Sequence, residues 1–158
     1  MKVLVMGGTR FIGVALVKRL VEKGWDVTLC NRGKRPSPIE GLRQIHCDRT
    51  DATQLKAALA GERFQVVFDN NGRELSDTQP LVEALWGTFD QFIYMSSAGV
   101  YLKSDQMPHQ ETDAVDPKSR HKGKQETEAY LAHHDLPFTA IRPTYIYCLL
   151  YTSDAADE

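Results

Sequence analysis

The sequence predicts an α/β fold built on a doubly wound parallel sheet with strand order 3-2-1-4-5-6. Short apolar runs alternate along the chain with stretches that have apolar residues at helical spacing, as in sheets covered by helices on both faces. The first apolar run, residues 3–6 (VLVM), leads directly into a glycine turn and a helical pattern. Strand, glycine turn and helix in this order are typical of a nucleotide-binding α/β unit.

Each strand is predicted from an apolar run, and each helix from apolar residues three and four positions apart. The strands are expected at residues 3–6, 26–30, 42–47, 64–69, 91–95 and 137–141. The helices are expected to begin at Phe11, at Thr50 or Asp51, near Ser76 and near Ser119, and to end at Gly24, Gly61, Trp86 and His134. Pro80 suits a first helical turn, which favours a later start for the third helix. That helix is expected to turn Leu81, Val82, Leu85 and Trp86 inward.

Length and composition indicate one globular domain. The chain has 158 residues, a hydrophobic content of 42% and a formal net charge of −2, so its global charge does not indicate a nucleic-acid partner. Cys30, Cys47 and Cys148 are odd in number and lack the spacing of a metal site, which favours reduced thiols, a cytoplasmic location and no metal. No apolar run approaches the roughly 18 residues of a membrane span, so no membrane partner is expected.

The glycine turn after the first strand is the candidate cofactor site. Its residues are Gly7, Thr9, Arg10, Phe11, Ile12 and Gly13. Backbone N–H groups and the dipole of the following helix can hold a diphosphate there. The alternative is a tight strand-to-helix turn without a ligand.

Two further strand ends carry candidate ligand contacts. Asn31 and Arg32, followed by Lys34 and Arg35, come after the second strand where no acid stands, which favours NADP over NAD. A solvated basic loop is equally compatible with this segment. Asn70, after the fourth strand, either binds a ribose or phosphate or shapes a turn. The carboxyl ends of parallel strands share one edge, so Gly7, Arg32, Asp69 and Ser97 are expected around one crevice.

Three motifs carry a resemblance to a known family. They are GGTRFIG at residues 7–13, SSAGVY at 96–101 and RPTYIY at 142–147. Together they resemble the extended short-chain dehydrogenases/reductases of the NAD-dependent epimerase/dehydratase family. The resemblance implies a Rossmann-like fold, NADP or NAD as cofactor, Asp48 near the adenine and Ser97 as a catalytic serine. Arg10 stands where that family usually has its middle glycine.

The same resemblance shows an incomplete catalytic set. Hydride-transferring members use Tyr-x-x-x-Lys on the helix after the fifth strand. Aligning Lys124 with that lysine, which also holds the cofactor, puts Arg120 at the tyrosine position. Arginine stays protonated and cannot act as a base, whereas His121 could replace the tyrosine or could be an ordinary surface histidine. Whether the chain is an enzyme is therefore left open.

Two functions follow from the resemblance. The first is an NAD(P)-binding epimerase/dehydratase-like protein that acts on or binds a nucleotide-sugar-type ligand. The second arises because GGTRFIG and SSAGVY, combined with FDNNGR at residues 68–73 and RHKGKQETE at 120–128, resemble an atypical branch of cyanobacterial epimerase-like proteins and chloroplast stem-loop-binding proteins. That resemblance implies binding or cleavage of structured RNA. Arg120, Lys122 and Lys124 form a cationic cluster that could meet phosphates, or a solvated helix face.

The resemblance stops between Tyr147 and Cys148. Residues 1–147 are expected to form the dinucleotide-binding domain, and residues 148–158 resemble translated adapter sequence, hence a non-native tail. The family's substrate lobe would then be missing.

Overall fold

The computed structural model describes residues 1–105 and 108–146, which form a six-stranded sheet with helices on both faces. All neighbouring strands are parallel, and their order is β3-β2-β1-β4-β5-β6, which confirms the predicted fold class. The strands are β1 (Lys2–Met6), β2 (Asp26–Asn31), β3 (Arg43–His46), β4 (Phe64–Asp69), β5 (Phe89–Met95) and β6 (Phe138–Ile141). The predicted tail, residues 148–158, lies outside the described residues.

In the described part of the chain, four α-helices connect these strands. They are α1 (Ile12–Glu22), α2 (Ala52–Ala58), α3 (Leu75–Ala84) and α4 (Lys122–His133). Of the two residues predicted to cap α2, Asp51 is the cap, because its carboxylate accepts a hydrogen bond from the Gln54 N–H at 2.9 Å. A single 3₁₀ turn, Ala98–Val100, follows β5.

The central strand β1 shows why its sequence is apolar throughout. Val3 and Val5 belong to the core on the α1 face of the sheet, whereas Leu4 and Met6 belong to the core on the opposite face. All four are almost completely buried. A strand covered on both faces cannot alternate with polar residues, so it reads as a continuous apolar run.

Helix α3 differs from its prediction at both ends. It begins at Leu75, and Pro80 lies inside it rather than in its first turn. The reason is a capping box: Asp77 accepts a hydrogen bond from the Glu74 N–H, and Glu74 caps the third helical N–H in return. Trp86 follows the end of the helix and is 50% exposed, so the prediction that it points inward is wrong.

Helix α4 begins three residues later than predicted. Ser119 instead fixes a turn, since its hydroxyl donates to the Gly99 carbonyl at 2.6 Å and accepts from the His121 N–H at 3.0 Å. This turn attaches the start of α4 to the segment after β5. Arg120 and His121 therefore precede the helix instead of lying on its face.

The α1 face of the sheet is less completely covered towards β6. Phe68 and Ile93 are only partly buried, and Ile141 is 43% exposed.

Among the residues that the structure describes, no helix is long and apolar enough to cross a membrane.

Candidate functional site

A cleft of about 760 Å³ lies where the carboxyl ends of β1, β2, β3 and β4 meet. This volume falls within the roughly 300–1,000 Å³ typical of small-ligand sites. Nine residues predicted to bind a cofactor line the cleft: Gly7, Thr9, Arg10, Phe11, Ile12, Asn31, Arg32, Asp48 and Asn70. Of the predicted cofactor set, Gly13 and Lys124 are not among the lining residues.

The glycine turn between β1 and α1 requires glycine at two points. Gly7 has a φ of +76°, a conformation that favours glycine, and a Cβ there would lie 3.0 Å from the side chain of Asn71. A Cβ on the buried Gly13 would lie 1.9 Å from the Gly7 carbonyl oxygen, which no side chain can do. The start of α1 thus packs directly on the turn, and its N-terminus faces the cleft.

The cleft is cationic. Six basic and two acidic side chains line it: Arg10, Arg32, Lys34, Arg35, Arg49 and Arg73, with Asp48 and Asp77. The three basic residues after β2 are exposed. A cleft of this charge, beside a helix N-terminus, suits a ligand with several phosphate oxygens.

Asn31 and Asp48 shape the loops that carry these cations. The Asn31 side-chain oxygen accepts a hydrogen bond from the Gly33 N–H at 2.6 Å and so fixes the turn after β2. The Asp48 carboxylate accepts from the Thr50 N–H at 3.0 Å and the Thr50 hydroxyl at 2.8 Å. These hydrogen bonds, and after them the nearby charge of Arg32, hold the pKa of Asp48 below its ordinary value.

A buried ion pair that the sequence did not indicate joins Arg49, which lines the cleft, to Asp69 beneath it. Arg49 donates to both carboxylate oxygens of Asp69, at 2.8 and 2.7 Å, and the two side chains are 11% and 0% exposed. Arg49 also donates to the side-chain oxygen of Asn71 at 2.6 Å and to the Asp77 carbonyl at 2.7 Å. Thr78 donates a further hydrogen bond to Asp69 at 2.7 Å.

This ion pair joins the loops after β3 and β4. Burial alone would raise the pKa of Asp69, but the Arg49 guanidinium and its hydrogen bonds outweigh burial and lower it. Asp69 was predicted at the crevice as a strand-end residue, whereas the structure places it below the cleft surface as the counter-ion of Arg49. The available signal was a charged residue close to the carboxyl end of each of two predicted strands, Arg49 two residues after the third and Asp69 as the last residue of the fourth.

Asn70 has a donor that is free for a ligand. Its Nδ2 is buried and has no hydrogen-bond acceptor among the described residues. Asn70 also lines the cleft, and its backbone N–H is held by the Met6 carbonyl at 3.2 Å. A buried amide without an acceptor is costly, so this group fits the oxygen of a bound molecule.

Ser97 and His121 meet at Gly99, outside the lining of the cleft. The Ser97 hydroxyl accepts from the Gly99 N–H at 3.1 Å, and a Cβ on Gly99 would lie 2.4 Å from the His121 ring. Arg120 donates from Nε to Nε2 of His121 at 3.1 Å. Partial burial, followed by the charges of Arg120 and Lys124, lowers the pKa of His121 below its ordinary value, which disfavours the protonated ring.

Lys124 points into the protein. Its Nζ donates to the carbonyls of Gly72 and Met95, at 2.5 Å each, and lies 5.0 Å from the centre of the Tyr94 ring. Burial lowers its pKa. The predicted cationic cluster is therefore not one surface, since Lys124 ties α4 to the ends of β4 and β5 while Lys122 pairs on the surface with Glu126.

Comparison with protein families and curated proteins gives a consistent result. A family model described as "NAD(P)H-binding" matches residues 7–148. The chain is 50% identical over 160 residues to the chloroplast stem-loop binding protein of 41 kDa b from Arabidopsis thaliana. That alignment covers 92% of this chain and 42% of the relative, so the chain spans less than half the length of that protein.

Solved structures show the same fold. UDP-glucose 4-epimerase from Thermus thermophilus, in complex with NAD, superposes with a TM-score of 0.78 at 22% identity, covering 90% of this chain and 54% of the epimerase. The Brucella ovis epimerase, also with NAD, gives a TM-score of 0.79 at 22% identity, with 89% and 51% covered. At this identity the likeness concerns the fold alone.

Proposed function

This chain belongs to the NAD(P)H-binding family and has the Rossmann-like fold of epimerases and dehydratases, and from that premise we propose that its cleft binds NADP. The observation that carries the proposal is a cationic cleft beside the N-terminus of α1. The close approach of Gly13 to the Gly7 carbonyl packs that N-terminus directly on the glycine turn. The backbone amides at the start of α1 would hold the diphosphate. Asn70 would supply a further hydrogen bond through its unpaired Nδ2.

NADP rather than NAD is favoured by the residues after β2. Arg32 is exposed at the cleft and near enough to Asp48 to lower its pKa, and Lys34 and Arg35 follow it. The Asp48 carboxylate is engaged by Thr50. Arginine side chains recognise phosphate through paired, charge-assisted hydrogen bonds, so this edge suits a 2′-phosphate.

We expect NADP to bind more tightly than NAD, and Arg32→Ala to remove most of that difference. Loss of one charge-assisted contact should weaken NADP binding by about tenfold or more, corresponding to roughly 1.5–3 kcal/mol, and should leave NAD affinity within a factor of about two. Isothermal titration calorimetry with both dinucleotides measures this. Arg63→Ala is the matched control, because Arg63 pairs with Asp90 on the surface and does not line the cleft. Equal affinities of the unaltered chain for both dinucleotides would contradict the preference.

The proposed enzyme function is an epimerase/dehydratase-like reaction on a nucleotide-sugar-type ligand. A bound nicotinamide would supply the hydride acceptor or donor. Among the chain's own residues, Ser97 could donate a hydrogen bond to a substrate oxygen, and Lys124 lies at the same strand edge. Arg120 holds the Nε2 of His121 and cannot itself take a proton, so no general base with the usual tyrosine's role is assigned.

We therefore expect this chain to bind NADP but to transfer hydride only very slowly. A positioned acid/base is worth about 10²–10⁴ in rate, so its loss alone lowers an ordinary turnover of about 10 s⁻¹ to about 0.001–0.1 s⁻¹. The measurement is chromatography of the UDP-sugar product, together with the nicotinamide absorbance of the loaded chain. Both are needed because an epimerisation or dehydration returns the hydride to the sugar and leaves no net change in the cofactor. Steady conversion of the sugar at ordinary enzymatic rates would show that another residue, such as His121, takes the role of the usual tyrosine.

RNA binding on the same fold is the second candidate function. The Arabidopsis relative, 50% identical, is named as a stem-loop binding protein. In this chain, Arg120 and Lys122 at the start of α4 and the exposed cations after β2 could meet phosphates, whereas Lys124 points inward. That relative is also named as chloroplastic, so for this chain a cytoplasmic location stays a prediction.

A salt titration tests the RNA alternative. If Lys122 binds a phosphate, the affinity for a stem-loop RNA falls with salt, and Lys122→Ala reduces the slope of log K against log salt by about one. Lys103→Ala is the matched control, because Lys103 is also an exposed lysine but is not among the residues proposed to contact RNA. Absence of binding at low salt would leave NADP binding as the function of this chain.

A further inference from the structure

Two cysteines far apart in sequence meet in the wall of the cleft. Cys30 lies in β2 and Cys47 directly follows β3, and both line the cleft. Their Sγ atoms are 3.0 Å apart, and the two residues are 1% and 4% exposed. Both are free thiols in the structure.

The backbone holds the two thiols in place. β2 and β3 are hydrogen-bonded neighbours, and the Cys47 N–H donates to the Asn31 carbonyl at 3.0 Å, one residue beyond Cys30. A disulfide bond is about 2.05 Å long, so the sulfurs need to approach by only about 1 Å. A shift of that size is within reach of two strand ends that lie next to loops.

The two thiols differ in reactivity. The hydrogen bond between the two thiols lowers the pKa of Cys47, with a further contribution from the charge of Arg49. The same pairing and burial raise the pKa of Cys30. Cys47 is thus the more acidic thiol and the one that supplies the attacking thiolate.

We propose that Cys30 and Cys47 form a reversible dithiol–disulfide site in the wall of the cleft, with a water-sized peroxide as oxidant. The Cys47 thiolate attacks one peroxide oxygen; the O–O bond breaks, a sulfenic acid forms and the leaving hydroxide becomes water on taking a proton. The Cys30 sulfur then attacks the Cys47 sulfur, the S–O bond breaks and a second water leaves with the Cys30 proton. Two thiols and one peroxide give one disulfide and two waters.

The disulfide would alter the edge of the cleft that faces the ligand. Asn31 follows Cys30 and Asp48 follows Cys47, so drawing the sulfurs together moves the loops that carry Arg32 and Thr50. We expect the oxidised chain to bind NADP several-fold more weakly than the reduced chain. This consequence, but not the disulfide itself, rests on the proposed function.

The test uses the full chain with Cys148→Ser, which leaves two thiols. Hydrogen peroxide is added without dinucleotide, and the thiols are counted by alkylation under denaturing conditions. We expect the count to fall from two to zero, a proteolytic fragment pair joined through Cys30 and Cys47 to appear, and dithiothreitol to restore both thiols. In addition, Cys30→Ser should yield a sulfenic acid at Cys47 that dimedone traps, whereas the two-thiol chain should not.

Two results would overturn the site: both thiols stay alkylatable, or both are lost without a joined fragment pair. NADP titrations of the reduced and oxidised chains then separate the site from the proposed function. If the reduced chain fails to bind NADP, the proposed function fails while the thiol count still decides the disulfide. Equal NADP affinity in both states would refute the effect on the cleft.

Discussion

Arg49→Ala is expected to destabilise the folded chain by about 3–5 kcal/mol, the cost of breaking a buried ion pair from one side. The substitution leaves Asp69, which is 0% exposed, without its counter-ion. It also removes the donors to the Asn71 side chain and the Asp77 carbonyl, so the loops after β3 and β4 lose their link. Urea denaturation followed by circular dichroism gives the free energy of unfolding.

The control is a surface ion pair of the same chemistry. Arg63 and Asp90 are 63% and 51% exposed, so Arg63→Ala should cost less than about 1 kcal/mol. The two variants should also differ in how their stability depends on pH.

Folding lowers the pKa of Asp69 in the parent chain. The stability that this carboxylate contributes is therefore present above the ordinary aspartate pKa of about 3.9 and is lost as the pH falls through the lower folded value. Arg63→Ala should keep this acid-dependent loss of stability, whereas Arg49→Ala removes the guanidinium that causes it. An Arg49→Ala chain that unfolds at the same urea concentration as the parent would contradict the assignment.

Gly13→Ala is expected to weaken NADP binding by about 100-fold or more, or roughly 3 kcal/mol. A Cβ at this position would lie 1.9 Å from the Gly7 carbonyl oxygen and 3.0 Å from the Gly8 Cα, and both are backbone atoms that cannot rotate away. The turn must therefore open, which displaces the amides that face the diphosphate. Calorimetric titration measures the affinity, and circular dichroism shows whether the sheet persists.

Gly24→Ala separates this effect from ordinary glycine replacement. Gly24 has a φ of +74°, but no atom lies within 4 Å of a Cβ built there, and it stands at the far end of α1. Its replacement should cost about 1–2 kcal/mol of stability through the left-handed backbone and leave NADP affinity unchanged. If Gly13→Ala binds NADP as tightly as the parent does, the close contact between helix and turn is not needed for binding.

The sequence by itself determined the order of the elements and the strand ends that face the cleft. Continuous apolar runs predict strands, and Gly7 and Gly24 predict turns. Both are local patterns that can be read without knowing which residues are in contact in the fold. Residues that follow a parallel strand at its carboxyl end must share one edge, so Gly7, Arg32 and Asn70 could be assigned to one cleft before their distances were known. The boundaries of α3 and α4 differ from the predicted ones, because Glu74 and Ser119 act through particular hydrogen bonds that the sequence pattern does not mark.

Only the tertiary structure decided which of these residues touch. Arg49 and Asp69 are 20 positions apart, and Cys30 and Cys47 are 17 apart, and neither pair has a local pattern that marks it. Lys124 reads as part of a basic surface, yet it reaches two backbone carbonyls beneath the sheet edge. Such contacts depend on strand register and on the face of the sheet to which each side chain points. A shift of one residue in the register of its strand would turn Cys30 or Asp69 to the other face of the sheet.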